Sequence, residues 1–269
     1  MTTLTNDPAG AALATAAATE LLQAAEQTVS APLVVAEQHV PVFGVVYNWW
    51  RVVCRSSEGV LILRGRGFTA AEVAPTTRSI FNHAYALHWI ADNGVPALDA
   101  LYDKDQADRE SLCKDLERTG WAVAPQYRAL LEEQRATQPP APVRTPAEQR
   151  RHNRLKEELR NVRDLFTQYG SPDLYPVYAH LSSLSHTTGL TARLYQRELP
   201  DGTVQLSRTA PDLGFADVIQ LAIALLQAAT VVSPMLKGDP MRSAIDRATE
   251  LLGLQDVQLL PPRSGALPG

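Results

Sequence analysis

The stretch PTTRSIFNHAYALHWIADNG, residues 75–94, decides the fold class of this chain. Its apolar side chains recur every three or four residues, which predicts an amphipathic α-helix packed in a core. The same stretch also carries an arginine and two histidines. A helix that combines a core face with such side chains predicts a polar site inside a helical bundle. The apolar positions are Ile80, Phe81, Ala84, Leu87, Trp89 and Ile90.

Helical spacing continues on both sides of this stretch. Residues 41–63 are apolar nearly all round, which is typical of a helix in the middle of a bundle. The fold class is therefore predicted as all-α, a multi-helix bundle with a short hairpin or loop near 199–208 that turns at Asp201-Gly202. Further helices are expected at about 8–29, 95–118, 125–135, 146–169, 172–195 with a kink at Pro176, 211–236 and 241–252.

A proline-rich stretch interrupts the helical pattern at residues 136–146. Its four prolines prevent a helix and indicate an exposed linker. The linker either divides two domains or joins two long helices of one bundle, and we favour the second. Residues 1–260 are thus predicted to form a single helical domain, followed by a disordered tail at 261–269.

Composition narrows the functional classes. Hydrophobic residues make up 45% and charged residues 20% of the chain, as in ordinary globular proteins. The net charge of −4 argues against a whole-surface nucleic-acid binder. The alanine-rich N-terminal segment has no basic residues before it, which argues against a signal peptide. No run of 18 apolar residues is expected, which argues against a membrane span. The two cysteines suit a reducing compartment. We therefore expect a cytoplasmic protein with no membrane association.

The helix at 75–94 places two polar side chains on one face. Arg78 and Asn82 are one helical turn apart and share that face. His83 lies about 140° away from Arg78 at 3.6 residues per turn. It is expected beside Arg78 only if the helix begins close to Arg78, and Pro75 at the first helical position would allow that start. Alternatively, Arg78 lies at a helix margin and pairs with a carboxylate.

A second polar face is expected about a hundred residues later, in YPVYAHLSSLSHTT. Tyr178, Ser182 and His186 are spaced four residues apart and form one stripe, with Ser185 on the adjacent stripe. If this face points inward, each member needs a hydrogen-bond partner, because an unpaired buried polar group costs about 1–3 kcal/mol. Arg78 and Asn82 are the natural partners. Otherwise the stripe faces solvent or forms a structural network.

The segments TTRSIFNHAYALHWIAD and YPVYAHLSSLSHTT together resemble a family of uncharacterised, all-helical bacterial proteins. The resemblance covers roughly residues 47–195 and implies a helical domain of unknown function. Members of that group often carry a glutamate four residues after the arginine, where this chain has Asn82. The departure removes an acid or ion-pair partner from this position.

Arg78 and His83 also fit the Arg-x4-His pattern, in which the chain resembles the HEPN superfamily of helical ribonucleases and nucleotide-binding proteins. That resemblance implies metal-independent cleavage of RNA by a homodimer. Arg78 would neutralise the phosphate in the transition state and His83 would transfer the 2′-hydroxyl proton, with His186 as a further candidate catalytic group. Ser79 is only a partial match to the polar residue that usually follows the arginine.

Two functions therefore remain open. The favoured one is a non-catalytic module that binds an unknown small ligand or a protein partner through Asn82, Tyr178, Ser182 and Ser185. The alternative is a HEPN-like ribonuclease or nucleotide-binding effector of the defence or toxin kind, with RNA as its partner. No cofactor is expected for either, since the sequence has no glycine-rich phosphate loop, no HExxH and no paired histidines at metal-ligand spacing.

Overall fold

The computed structural model describes residues 6–137, 143–170, 175–211, 214 and 216–255. Within these ranges the chain forms ten α-helices and one short hairpin, which confirms the all-α prediction. The helices are α1 (Pro8–Val29), α2 (Val40–Gly65), α3 (Ala70–Asn93), α4 (Val95–Arg118), α5 (Ala124–Thr137), α6 (Pro146–Arg160), α7 (Val162–Tyr169), α8 (Tyr175–Ser185), α9 (Ala216–Val232) and α10 (Arg242–Leu251). The strands are β1 (Gln196–Glu198) and β2 (Val204–Leu206).

The chain divides into two compact units. One comprises Met1–Asp92 and Val162–Gly269, and the other comprises Asn93–Asn161, which holds α4, α5 and α6. The single-domain organisation of residues 1–260 stays a prediction. Helix α5 runs to Thr137 and α6 begins at Pro146, so the predicted linker at 136–146 begins and ends in helix. Residues 138–142 of that linker and the predicted tail at 261–269 lie outside the described residues.

The larger unit is built on α1, α2, α9 and α10. Small side chains of α1, such as Ala14 and Ala18, are fully buried and let α9 approach closely. The stretch Ala216–Met235 is long and apolar enough to cross a membrane by composition, contrary to our expectation that no stretch would be. Of its most apolar 18-residue window, 72% is buried within the fold. Packing against the rest of the unit therefore accounts for its apolar character.

Helix α3 begins earlier than the sequence suggested. The backbone N–H of Thr69 donates to Glu72 Oε2 at 2.8 Å, so the helix is capped just before Ala70. Pro75 lies inside the helix rather than at its first position, and Arg78 lies well within continuous helix. The helix start that would have brought His83 onto the face of Arg78 is thus absent from this described segment.

Two further boundaries differ from prediction. The charged helix expected over 146–169 breaks at Asn161, whose ψ of 88° ends α6 before α7 begins. Helix α8 ends at Ser185 instead of reaching residue 195, and Pro176 is its second residue. Residues 172–174 of the expected helix lie outside the described residues. Beyond Ser185, Thr191 Oγ1 donates to the carbonyl of His186 at 2.9 Å and holds the chain in a turn. His186 is therefore not part of the helical stripe.

The expected hairpin is present. Strands β1 and β2 pair antiparallel, with Gln196 opposite Leu206. Gly202 takes a φ of +80°, which favours glycine, and Asp201 accepts a hydrogen bond from the Thr203 backbone at 3.0 Å. Both strands are exposed along their length.

Candidate functional site

Arg78 of α3 and Tyr178 of α8 meet at the centre of the candidate site. The Arg78 Nε–H donates to Tyr178 Oη at 3.2 Å, and the guanidinium carbon lies 5.5 Å from the centroid of the same ring. The hydrogen bond and the cation–π contact fix the guanidinium in one orientation. The two polar segments that the sequence singled out are thus brought together through these two residues.

The contact extends into a row of two tyrosine rings with an arginine at each end. Arg163 of α7 lies 5.2 Å from the Tyr175 centroid, and the rings of Tyr175 and Tyr178 are 6.2 Å apart. We call Arg78, Tyr178, Tyr175 and Arg163 the Arg–Tyr row. The sequence placed Arg163 in the helix expected over 146–169 and gave no reason to count it among the candidate site residues. Its part in the row depends on the helix break at Asn161, for which the sequence offered no proline or glycine as a signal.

Phe166 of α7 holds the row against the core. Its ring lies 5.2 Å from that of Tyr178, 4.3 Å from Tyr85 and 5.8 Å from Phe81. Phe166 is fully buried and Tyr178 is 7% exposed. The ring against which Arg78 rests is therefore fixed by packing on its opposite side.

The electrostatics of the row are unbalanced. Among the residues that the structure describes, neither Arg78 nor Arg163 forms an ion pair with a carboxylate. Arg78 is half-buried, so its charge is partly removed from water. The row is therefore a cationic surface with one exposed and one half-buried guanidinium group.

The other predicted ligand-binding residues lie on the same two helices and differ in their hydrogen bonds. Asn82 is one turn beyond Arg78, and its buried Oδ1 has no hydrogen-bond donor among the described residues. Ser182 is half-buried one turn after Tyr178 on α8. The Ser185 hydroxyl donates to the Leu181 carbonyl of its own helix at 2.6 Å, which occupies its proton.

The two candidate catalytic histidines lie elsewhere. His83 Nδ1 is 2.8 Å from the Ser79 carbonyl of its own helix, and its ring packs 6.5 Å from that of Trp49 on α2. His186 follows the end of α8 and is exposed. Because α3 is continuous through Arg78, the separation of about 140° between Arg78 and His83 is retained.

A second histidine of α3, His88, is deeply buried. It is 2% exposed and stacks 5.9 Å from the Tyr169 ring. Burial lowers the pKa of His88 to about 4, with the nearby side chain and backbone of Gln227 offsetting part of that effect. Neither ring nitrogen makes a hydrogen bond of normal geometry to the described residues. His88 is a neutral core residue at neutral pH.

Tyr85 is another deeply buried polar group on this helix. Its ring is fully buried, and burial raises the pKa of its hydroxyl. Gly170, at the end of α7, lies so close that a Cβ there would be 2.8 Å from Tyr85 Cε1. The close approach of α7 to α3 therefore depends on a residue without a side chain at this position.

The described residues define an all-α protein with a cationic, tyrosine-lined site between helices. The same residues contain no group of three or more His, Cys, Asp or Glu side chains placed to hold a metal ion. The model of DUF5677, a family of unknown function, matches residues 43–203. The chain belongs to that family, which confirms the predicted membership of a domain family of unknown function. The match spans α2 to β1 and so includes the whole Arg–Tyr row. No curated protein and no solved structure matches the chain.

Proposed function

We propose that this protein is a non-catalytic binding module whose ligand carries an anionic group that is bound by Arg78. The observation that carries the proposal is the half-buried guanidinium of Arg78, held by Tyr178 and without a carboxylate partner among the described residues. A partly desolvated cation gains more from an anion than an exposed one does, because the effective dielectric constant around it is lower. Arg78 is thus the anchor of the site.

The orientation of Arg78 supports this role. Its Nε–H is used by Tyr178 Oη at 3.2 Å, which leaves the terminal guanidinium donors for a ligand. An arginine held in place loses less side-chain entropy when it binds an anion than a free one does. Arg163 and Tyr175 extend the same row, so a ligand with a second anionic group or a planar face gains further contacts.

Several contacts favour binding over catalysis. Proton transfer requires an acid–base group within hydrogen-bond reach of the reacting atom. His83 instead contacts the Ser79 carbonyl of its own helix and the ring of Trp49. His186 lies beyond the end of α8. Asn82, one turn beyond Arg78, carries an amide, which does not ionise and so supplies no proton. The proposal includes a cytoplasmic location, which is supported by two free, buried cysteines, Cys54 and Cys113.

Isothermal titration calorimetry on the purified protein tests the proposal. The ligands are inorganic phosphate, citrate, adenosine monophosphate and a short single-stranded RNA. We expect at least one of the small anions to bind, and Arg78→Gln to weaken it about tenfold, because hydrogen bonds from a charged group contribute about 1.5–3 kcal/mol. Tyr178→Phe keeps the ring and loses Oη, so we expect a loss of about threefold.

Arg118→Gln is the matched control. Arg118 is exposed and pairs with Asp115 at 3.1 Å, so its removal deletes one positive charge without touching the Arg–Tyr row. Unfolding curves of each variant show whether it is folded. Equal losses of affinity in Arg78→Gln and Arg118→Gln would mean that the effect comes from the net charge of the protein and not from the Arg–Tyr row. Cleavage of RNA in a chelator that requires both Arg78 and His83 would replace the proposal by the ribonuclease hypothesis.

A further inference from the structure

A cleft in the larger unit lies between the end of α1 and the turn that follows α9. Its volume is about 350 Å³. One wall comes from α1 and the segment after it, and the other from the turn. The residues that line it include Ala24, Gln27, Thr28, Val34, Leu236 and Lys237.

The second wall is held rigidly against the first. Val35 and Leu236 form an isolated antiparallel bridge, and the Lys237 N–H donates to the Val34 carbonyl at 2.8 Å. The Ala36 N–H donates to the Met235 carbonyl at 2.8 Å on the other side of the bridge. These two hydrogen bonds, which make up the bridge, place Lys237 at the cleft independently of any ligand.

The turn beyond Lys237 holds its acidic residue, Asp239, outside the lining of the cleft. Gly238 and Asp239 take φ values of +84° and +46°, and Asp239 is not glycine, so this conformation has a cost. The Ser233 hydroxyl donates to Asp239 Oδ1, and Ser233 Oγ accepts from the Met241 backbone at 3.0 Å. Asp239 is thus engaged by Ser233 and does not line the cleft.

The lining combines one cation with apolar walls. The Thr28 hydroxyl already donates to the Ala24 carbonyl at 2.7 Å, which leaves the Gln27 amide and the Lys237 ammonium as polar groups for a ligand. Lys237 is the one ionisable side chain in the lining, and the described residues offer it no carboxylate partner. The charge of the cleft is therefore positive and uncompensated.

We propose that this cleft binds a small monocarboxylic acid with an apolar body, with Lys237 as the counter-ion of the carboxylate. Ligand pockets in proteins typically measure about 300–1,000 Å³ and are mostly apolar with a few placed polar groups. The cleft meets both conditions. Two other pockets, of about 290 and 240 Å³, are smaller and are lined by side chains of both charges. The inference does not depend on the Arg–Tyr row.

Equilibrium binding of 3-phenylpropionate and its uncharged amide, 3-phenylpropanamide, tests the proposal. We expect the acid to bind the unaltered protein about fivefold more tightly than the amide, since a partly exposed ion pair contributes up to about 1 kcal/mol. Lys237→Met keeps most of the side-chain length and removes the charge, so the preference for the acid should vanish. Lys114→Met, at an exposed lysine outside the cleft, should leave the preference intact.

Ala24→Phe fills the cleft and should abolish binding of both compounds. Equal binding of acid and amide to the unaltered protein overturns the proposal, and so does a preference that survives Lys237→Met. Binding that survives Ala24→Phe in a folded variant places the compounds elsewhere and overturns it as well. Absence of binding at millimolar concentration has the same consequence. Arg78→Gln should change none of these results, which separates this cleft from the Arg–Tyr row.

Discussion

Two groups of helices in this molecule are stabilised in different ways. Around α3, α7 and α8, large aromatic side chains are fully buried and contact one another, with Phe166 at the centre. In the unit formed by α4, α5 and α6, most buried side chains are small, and ion pairs cover the helix surfaces. The buried apolar residues there are Ala97, Ala100, Cys113, Ala124, Leu131 and Leu155.

The ion pairs of the α4–α6 unit are largely exposed. Arg128 binds both oxygens of Glu117, at 2.9 and 2.7 Å, yet these side chains remain 31% and 43% exposed. Lys104 and Asp108 pair one turn apart along α4. In the larger unit, by contrast, Arg64 Nε lies 3.0 Å from Asp217 Oδ2, and Asp217 is 2% exposed.

The two kinds of contact contribute differently to the stability of the protein. Exposed ion pairs contribute little to the free energy of folding and are screened by salt, whereas buried rings and buried charges cost several kcal/mol to disturb. A site that requires fixed side chains is therefore better supported by the α3–α7–α8 packing than by the α4–α6 surface. The Arg–Tyr row lies on the former.

The largest expected effect is that of Phe166→Ala. Removing the central ring leaves a cavity beside Tyr85, Phe81 and Tyr178, so the free energy of unfolding in urea should fall by about 3–5 kcal/mol. Leu112→Ala, at a half-exposed position of α4, should change it by far less. A loss below about 1 kcal/mol for Phe166→Ala would break the comparison.

Asp217→Asn should cost nearly as much, about 3–5 kcal/mol, because it removes the charge of a carboxylate that is 2% exposed and lies 3.0 Å from Arg64 Nε. Two backbone carbonyls, of Phe68 and Gly214, still accept from Arg64 at 2.8 and 3.2 Å and keep it in place. Chemical unfolding at low salt gives the value. A cost that disappears in 1 M NaCl would mean that this pair behaves as an exposed one.

His88 should make stability depend on pH. Its pKa falls from about 6.5 in the unfolded chain to about 4 in the fold, so the unfolded chain gains a proton first as pH decreases. Stability is therefore full above pH 6.5 and should decrease by about 3 kcal/mol between pH 6.5 and 4. In His88→Gln this part of the slope should be absent, and an unchanged slope would contradict the assignment.

Gly170→Ala should destabilise the protein by about 1–3 kcal/mol, because the new methyl group would be 2.8 Å from Tyr85 Cε1 and α7 would have to move. Gly189→Ala is the matched control, since a Cβ at that position meets nothing within 4 Å. Thermal unfolding of the two variants compares them directly. Similar melting temperatures would show that α7 can shift away from Tyr85 without a loss of stability.

The smallest effect is expected from Glu117→Gln, which breaks the paired Arg128 contact on the surface of the α4–α6 unit. The decrease in stability should be small at low salt and absent in 1 M NaCl, where the screening length is about 3 Å. Unfolding curves at the two salt concentrations measure it. A large, salt-independent loss would mean that exposed pairs stabilise this unit as firmly as aromatic packing stabilises the other.

Sequence reasoning was accurate where local chemistry decides an element. Helix α1 follows Asp7, which accepts from the Gly10 backbone at 2.8 Å, with proline at its first position. Helix α4 begins after Gly94, with a proline near its start, and both helices have the predicted bounds. Such caps and breakers act within one or two turns, so the local sequence shows them.

Three helix boundaries were missed. Pro75 suggested a helix start, but the cap formed by Thr69 and Glu72 places the start earlier. The break at Asn161 carries no local signal, and the end of α8 depends on a threonine network that includes Thr191. At Thr69 and at Thr191 two local signals compete within a few residues, so inspection of a short window does not decide between them.

By itself, the amino-acid sequence determined the all-α fold, the family membership and the two segments that carry Arg78 and Tyr178, because hydrophobic periodicity and short motifs are properties of the chain alone. Only the tertiary structure decided which side chains meet. The crossing of α3, α7 and α8 places Arg163 in the Arg–Tyr row and leaves His83 against Trp49. Helix crossings depend on the packing of buried side chains far apart in sequence, and no local pattern encodes them.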